Sequence, residues 1–262
     1  MYPEILHWGP LHIRSYGLML AIAFLVGTGL ALREAKRRGL DEDRLVSVIL
    51  VVLIASVLGA RALYVMEHIG EFRREWTSMF ALWQGGLTLY GGIVAGAVAG
   101  LVAARRFGLP MWTVADVLTP GLALGTAIGR VGCYLNGCCY GRPTLLPWGV
   151  KFPPDSFAGL EFGNALLHPS QLYFSVVGLV LFALAWGLRR RFTVPGTLFW
   201  SFLLVFGLAR VPLDLTRAYE KDAIVLPMGA TGVTESQVMS VALALFAVLM
   251  LVRLRRGAAA QP

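Results

Sequence analysis

Three arginines, Arg61, Arg130 and Arg210, lie inside stretches of the chain that are otherwise apolar. A charged side chain is costly to place in lipid, so it usually faces a partner or an aqueous cavity. Guanidinium keeps its charge and binds phosphate through two parallel hydrogen bonds. The three arginines therefore predict an anion site, with phosphate as the expected ligand. Structural roles stay open, because long basic side chains also reach toward the membrane surface and because Asp214 is a ready partner for Arg210.

The segment 129–142 has the composition of a chain that turns tightly beside a ligand. It contains four glycines, the amide of Asn136 and all three cysteines of the protein, and glycine adopts backbone conformations that other residues avoid. Cys133, Cys138 and Cys139 lack the paired C-x-x-C spacing of a structural zinc site. We expect them to be small buried residues; one disulfide, or a catalytic or metal-binding role, remains the alternative. The four histidines show no metal-type spacing either, so the sequence predicts no metal ion and no cofactor.

The elements that must position these residues are membrane helices. Charged residues make up 15% of the 262-residue chain and hydrophobic residues 57%, whereas soluble domains are about 25% charged. Seven apolar stretches are each close to the roughly 17–25 residues that cross a bilayer. They are residues 16–32, 45–66, 86–104, 114–132, 171–188, 196–213 and 237–252. The sequence thus predicts an all-α integral membrane protein with seven transmembrane helices and a single polytopic domain over residues 1–262. The first stretch has no basic leader or small-residue cleavage site, so we expect it to be retained.

Individual residues inside the spans carry local predictions. Pro120, Gly121 and Gly125 in the fourth span predict an irregular helix that lines a cavity. Asp116, at the start of the same span, is expected to cap the helix or to form an ion pair. The third span contains Gly92, Gly96 and Gly100, a small-residue face that predicts close helix packing.

The 23 basic residues are distributed unevenly over the two sides that the spans define. Thirteen lie on the side of the C-terminus and seven on the other side, so the positive-inside rule places the C-terminus in the cytoplasm and the N-terminus outside. The formal net charge of +8 is then an orientation signal, and no nucleic-acid partner is expected. In this orientation the three intramembrane arginines, Tyr16 and Tyr90 lie toward the outer leaflet. The long connection 133–170 is expected to cover the site there.

Several segments resemble bacterial prolipoprotein diacylglyceryl transferases. They are residues 16–19, 59–61, 85–92, 129–141, 168–173 and the Arg210, Asp214 and Arg217 helix, in the family's order. The resemblance implies a multi-pass protein of the bacterial cytoplasmic (inner) membrane. Its activity would move the diacylglyceryl group of phosphatidylglycerol to the lipobox cysteine thiol of preprolipoproteins, forming a thioether and releasing glycerol phosphate. The catalytic residues implied are Arg130, Arg210 and Tyr90. The substrate-binding residues implied are Tyr16, Arg61, Asn136, Gly141, His168 and Asp214.

Four positions depart from the residues that this family usually has. The chain has Tyr90 for a histidine, Cys133 for an asparagine, Cys138 for a glutamate and Asp214 for a glutamate. Because a tyrosine hydroxyl is a poor base at pH 7, we expect Tyr90 to orient the phosphate, while the substrate thiol loses its proton to the leaving phosphate or to water. A homologue that only binds phospholipid or lipoprotein, or a transferase with a different acceptor, is the alternative function.

Overall fold

The computed structural model describes residues 4–8, 11–72, 76–81, 85–219, 224–226 and 232–259. The helices are α1 (Ser15–Arg37), α2 (Glu42–Glu67), α3 (Ile69–Phe72), α4 (Leu89–Arg106), α5 (Met111–Asn136), α6 (Phe157–Phe162), α7 (Ser170–Leu188), α8 (Thr197–Asp214) and α9 (Glu235–Ala259), with a 3₁₀ helix at Trp76–Phe80. The strands β1 (Glu4–Trp8) and β2 (Leu11–Arg14) form one antiparallel pair, and β3 (Ile224–Leu226) and β4 (Val233–Thr234) form another.

Seven of these helices, α1, α2, α4, α5, α7, α8 and α9, are long and apolar enough to cross a bilayer. The predicted fold class is therefore confirmed. The fourth span is longer than its apolar stretch, since α5 ends at Asn136 and so carries Cys133 within the helix. The irregularity expected around Pro120 is not a break in the helix: this buried proline lies inside α5, which continues to Asn136. Neighbouring groups in a membrane helix can satisfy the backbone carbonyl that a proline releases.

The described residues form two compact units, residues 32–117 and residues 1–31 with 118–262. In the first, α2 and α4 pack backbone against backbone. A Cβ atom on Gly59 would lie 2.7 Å from the carbonyl oxygen of Gly91, and one on Gly92 would lie 3.1 Å from that of Ser56. This confirms the close packing predicted from the small-residue face of the third span, because helices in lipid associate through such contacts.

A buried ion-pair cluster lies at one end of the unit formed by residues 32–117. Glu34 is 1% exposed and pairs with Arg37 and Arg38. Arg38 also reaches the fully buried Asp116, with 3.6 Å between Nη1 and Oδ2. The prediction of a structural ion pair for Asp116 is therefore confirmed.

In the second unit, glycines again mark where helices meet. A Cβ atom on Gly121 of α5 would lie 2.8 Å from the carbonyl oxygen of Gly27 in α1. One on Gly178 of α7 would lie 2.8 Å from the backbone nitrogen of Ala127 in α5. These contacts fix α5 between α1 and α7, and α5 carries the residues of greatest chemical interest.

The connection between α5 and α7, residues 137–169, folds around a small core of its own. Phe152, Ala158 and Leu167 are buried in it. Leu167 and Val150 exchange two backbone hydrogen bonds of 2.9 and 3.0 Å between nitrogen and oxygen. The segment is thus an ordered support for the end of α5.

Candidate active site

Arg130 lies six residues before the end of α5 and has little contact with other polar groups. Its guanidinium carbon stands 4.5 Å from the centroid of the Phe174 ring in α7, and Phe174 is 2% exposed. Within the described ranges, the Arg130 guanidinium makes no hydrogen bond or ion pair with the protein. The ring therefore holds the charge in place by a cation–π contact while the N–H donors stay available to a ligand.

The turn after α5 folds back on the helix and gathers the cysteines. Gly137 has a φ of 73° and Cys139 a φ of 59°, a left-handed conformation that non-glycine residues adopt at a cost of about 1 kcal/mol or more. The amide of Cys138 donates to the carbonyl oxygen of Cys133 over 3.1 Å. As a result the three cysteine sulfurs lie within 4.8 Å of one another, although their sequence spacing gave no sign of such a cluster. We call Cys133, Cys138 and Cys139 the thiol triad.

Polar groups around the thiol triad hold its backbone and tune its charge. Gln171, fully buried at the start of α7, donates from Nε2 to the carbonyl oxygen of Cys138 over 2.8 Å. The Cys138 thiol donates to the carbonyl oxygen of Cys133 over 3.7 Å, and the side chain of Asn136 lies close to the same thiol. Hydrogen bonds from the other two thiols lower the pKa of Cys139, and the charges of Arg217 and Arg130 act in the same direction. The positive charges of Arg217 and Arg130 thus stabilise the thiolate form of Cys139 relative to the thiol.

Tyr16, at the second position of α1, lies beside the same end of α5. A Cβ atom on Gly132 would be 3.4 Å from Cδ2 of the Tyr16 ring, an ordinary contact distance, so the ring packs against α5 at this glycine. The phenol is 39% exposed and lies within electrostatic range of the thiol triad and of Arg130. Three predicted residues therefore share one neighbourhood with the thiol triad. We call this neighbourhood the signature site: Tyr16, Arg130, Cys133, Asn136, Cys138 and Cys139.

Arg210 and Asp214 belong to a chain of polar contacts at the end of α8. Nε of Arg210 lies 3.5 Å from Oδ2 of Asp214, an ion pair without hydrogen-bond geometry. Asp214 is 1% exposed, and its Oδ1 accepts a 2.7 Å hydrogen bond from the hydroxyl of Tyr219. That hydroxyl accepts one of 3.0 Å from Nη1 of Arg217, and burial raises the pKa of Tyr219. The four residues form what we call the arginine network, which orients Arg217.

Backbone pairing joins the arginine network to the signature site. The amide of Arg142 donates to the carbonyl oxygen of Thr216 over 2.9 Å, and the amide of Ala218 donates to that of Tyr140 over 3.2 Å. The Arg142 side chain adds a 2.9 Å hydrogen bond from Nε to the carbonyl oxygen of Arg217. This pairing holds Arg217 within electrostatic range of Cys139.

Gly141 and His168, both predicted to bind substrate, contact each other beside this backbone pairing. The amide of Gly141 donates to the carbonyl oxygen of His168 over 3.1 Å. A Cβ atom on Gly141 would lie 2.5 Å from Cβ of His168 and 2.5 Å from Oγ of Ser170, so only glycine fits. His168 itself faces Tyr173, with 3.4 Å between Nδ1 and the hydroxyl oxygen. These contacts give Gly141 a packing role and leave the His168 ring half-exposed.

Arg61, in the unit formed by residues 32–117, is committed to the protein backbone. Its guanidinium donates four hydrogen bonds to backbone carbonyl oxygens, and its side chain is 6% exposed. The acceptors and distances are Ser78 at 2.6 Å, Met79 at 2.9 Å, Gly85 at 2.6 Å and Gly86 at 3.0 Å. Tyr64 and Phe72 place their rings 5.6 and 5.3 Å from the guanidinium carbon. This geometry favours the structural role for Arg61 over the predicted binding of a phosphate.

Tyr90 is the second residue of α4, in the same unit as Arg61. Its side chain is 39% exposed and makes no hydrogen bond to any residue in the part of the chain that the structure describes. Its expected contact with the phosphate remains a prediction.

The sequence alone singled out the three cysteines but not their clustering, and it gave no role to Phe174 or Tyr219. The C-x4-C-C spacing becomes a cluster only because Gly137 and Cys139 both turn left-handed, and no spacing rule encodes that. Phe174 was hidden among the apolar residues of its span, and Tyr219 follows α8 outside any span. A useful signal was the proximity in sequence of all three cysteines to Arg130.

The sequence was then compared with known proteins. A family model described as prolipoprotein diacylglyceryl transferase matches residues 3–253. Three curated relatives carry the name phosphatidylglycerol–prolipoprotein diacylglyceryl transferase. The one from Trichormus variabilis is 36% identical, with 81% of this chain and 77% of the relative covered. The one from Synechococcus elongatus is 34% identical, with 95% and 86% covered, and the one from Geobacillus kaustophilus is 33% identical, with 96% and 92% covered.

Proposed function

The chain belongs to the prolipoprotein diacylglyceryl transferase family, and we propose that its signature site moves the diacylglyceryl group of phosphatidylglycerol to the lipobox cysteine thiol of a preprolipoprotein. The product is a thioether, and glycerol phosphate leaves. The position of the Arg130 guanidinium is the observation that supports this assignment. The guanidinium is held over Phe174, and its N–H donors are free of other described groups.

Arg130 binds the phosphate of phosphatidylglycerol through two parallel hydrogen bonds. Negative charge grows on that phosphate as the carbon–oxygen bond to the glyceryl carbon breaks, and a fixed cation stabilises this charge most in the transition state. Tyr16, within electrostatic range of Arg130, and Asn136 orient the headgroup. Tyr90 contributes a hydrogen bond to the phosphate, so full activity in Tyr90→Phe would remove it from the mechanism.

Arg210 and Asp214 do not contact the substrate in this proposal; they act by positioning Arg217. Their ion pair and the Tyr219 hydroxyl fix Arg217, which adds a second positive charge beside Cys139. His168, on the connection 137–169, has a half-exposed ring that contacts the polar headgroup in this proposal.

The test is a transfer assay with the purified protein, phosphatidylglycerol and a lipobox peptide, with the thioether product identified by mass. Arg130→Ala should lower kcat/KM by about 100-fold or more, as expected for the loss of a group that stabilises developing charge. Arg130→Lys should recover part of the rate, because it restores charge without the bidentate geometry. The matched control is Arg44→Ala, which removes an exposed arginine at the start of α2. Equal rates in Arg130→Ala and the control would exclude Arg130 from the site.

We further propose that the protein lies in the bacterial inner membrane with its N-terminus outside, its signature site toward the outer leaflet and residues 1–262 acting as one polytopic domain. The uneven distribution of the basic residues supports this orientation. Reporter fusions after Gly108 and Arg142 test it: alkaline phosphatase should be active only after Arg142, and green fluorescent protein should be fluorescent only after Gly108. The reverse pattern would invert the topology.

A further inference from the structure

The thiol triad has the dimensions of a metal site. Its sulfurs lie within 4.8 Å of one another, whereas sulfurs around a tetrahedral zinc with 2.3 Å bonds are about 3.8 Å apart. Rotation of the Cys138 and Cys139 side chains, both only half-buried, can close that difference. The backbone is already in place, because Gly137 and Cys139 are left-handed and Gln171 holds the carbonyl of Cys138.

The donor set selects the kind of ion. Thiolates are soft ligands that bind zinc and copper, whereas magnesium and calcium require oxygen. Three thiolates around a divalent ion leave one net negative charge, and Arg130 and Arg217 lie near enough to Cys139 to offset it. Three protein ligands also leave one coordination position open, which distinguishes catalytic zinc sites from structural ones.

We propose that Cys133, Cys138 and Cys139 bind one Zn²⁺ ion and that its open position takes the lipobox thiol of the substrate. The first part is independent of the enzyme's activity, and the second rests on the proposed function. Coordination to the zinc ion would allow the lipobox thiol to lose its proton without a side-chain base. The leaving phosphate is then not required to accept that proton.

The reaction balances without any change of oxidation state. A thiol that coordinates Zn²⁺ loses its proton, and the proton passes to water. The zinc-bound sulfur attacks the glyceryl carbon of phosphatidylglycerol, so a carbon–sulfur bond forms while the carbon–oxygen bond breaks. Glycerol phosphate leaves with the electron pair of that bond, beside Arg130. The thioether is a weak ligand and dissociates, which reopens the position on the ion.

The metal site is tested first, with no reference to activity. Wild-type protein purified without chelator should contain about one zinc per chain, by mass spectrometry of the metal. Titration of Co²⁺ into the metal-free protein should give sulfur-to-cobalt charge transfer and the visible bands of a tetrahedral ion. Each single Cys→Ser variant should lose both signals, and Tyr140→Phe, in the same turn, should keep them. Absence of both signals from the wild type, copper in place of zinc, or a native disulfide within the triad would overturn the site.

The open position is tested next, on the cobalt form and on the enzyme. A lipobox peptide should change the cobalt spectrum, and the same peptide with serine in place of cysteine should not. Removal of zinc should slow transfer by about 100-fold, the lower range for loss of proton-transfer assistance, and added Zn²⁺ should restore it. Full activity without metal would refute the role of the ion and leave the transferase function intact. A zinc-loaded protein that forms no thioether from phosphatidylglycerol would refute the proposed function and leave the metal site intact.

Discussion

Replacement of Arg61 by alanine separates a structural role from a catalytic one. The change removes four hydrogen bonds from a charged donor to backbone carbonyl oxygens. At about 1 kcal/mol for each bond, the free energy of unfolding should fall by about 4 kcal/mol. For a chain of this size the midpoint of thermal unfolding should then fall by about 10 °C. Proteolysis near Ser78 and Met79 should accelerate as well, because the carbonyl oxygens of both residues lose the hydrogen bond from the Arg61 guanidinium.

The assay is thermal unfolding in one detergent, followed by transfer kinetics at a temperature where the variant remains folded. Arg44→Ala is the control, since its side chain is 56% exposed and paired with Asp41 at the surface, where ion pairs contribute about 1 kcal/mol or less. We expect Arg61→Ala to be less stable while its KM for phosphatidylglycerol changes little. A variant with the wild-type unfolding midpoint and a strongly raised KM would refute this reasoning and indicate that Arg61 binds the substrate.

Two further changes test the surroundings of the signature site. Gly141→Ala places a methyl group 2.5 Å from both Cβ of His168 and Oγ of Ser170, so it should lower the free energy of unfolding by about 1–3 kcal/mol. The control is Gly129→Ala, where the nearest such atom is 3.8 Å away, and its thermal unfolding should be unchanged or improved. Equal stability of the two variants would contradict the close packing of Gly141 against His168 and Ser170. Tyr219→Phe removes the hydroxyl that joins Asp214 to Arg217. The free energy of unfolding, measured with a chemical denaturant, should fall by about 1–2 kcal/mol, and transfer should slow. A variant with wild-type stability and rate would show that the arginine network does not position Arg217 for the reaction.

The seven transmembrane helices could be predicted because the membrane imposes one simple rule on sequence, a continuous apolar run of sufficient length. The ends of those helices could not, since polar residues such as Asn136 continue a helix beyond the apolar run. The effect of Pro120 could not be predicted for a related reason. The geometry of proline indicates an irregular helix, but the neighbouring groups decide whether the helix continues through it.

The signature site was predicted in part. Arg130, Tyr16 and Asn136 stood out because polar groups are rare inside apolar spans, and they do share one neighbourhood. Arg61 stood out by the same rule but serves the backbone, because a rule about rarity does not distinguish a ligand from a carbonyl oxygen. The three cysteines were named from the sequence, but their clustering was not predicted, because it depends on two left-handed residues and a buried glutamine that no cysteine spacing reveals.

The contact between Gly59 and Gly91 shows that insertion and assembly of the helices depend on opposite kinds of residue. Leucine at either position would raise hydropathy and make its helix a better substrate for membrane insertion. It would also fill the space through which α2 and α4 meet, since even a Cβ atom on Gly59 lies 2.7 Å from the opposing carbonyl. Lipid gives apolar helices no reason to choose one another. At these two positions an evolutionary drift toward greater hydrophobicity would therefore produce a protein that enters the membrane well and does not assemble.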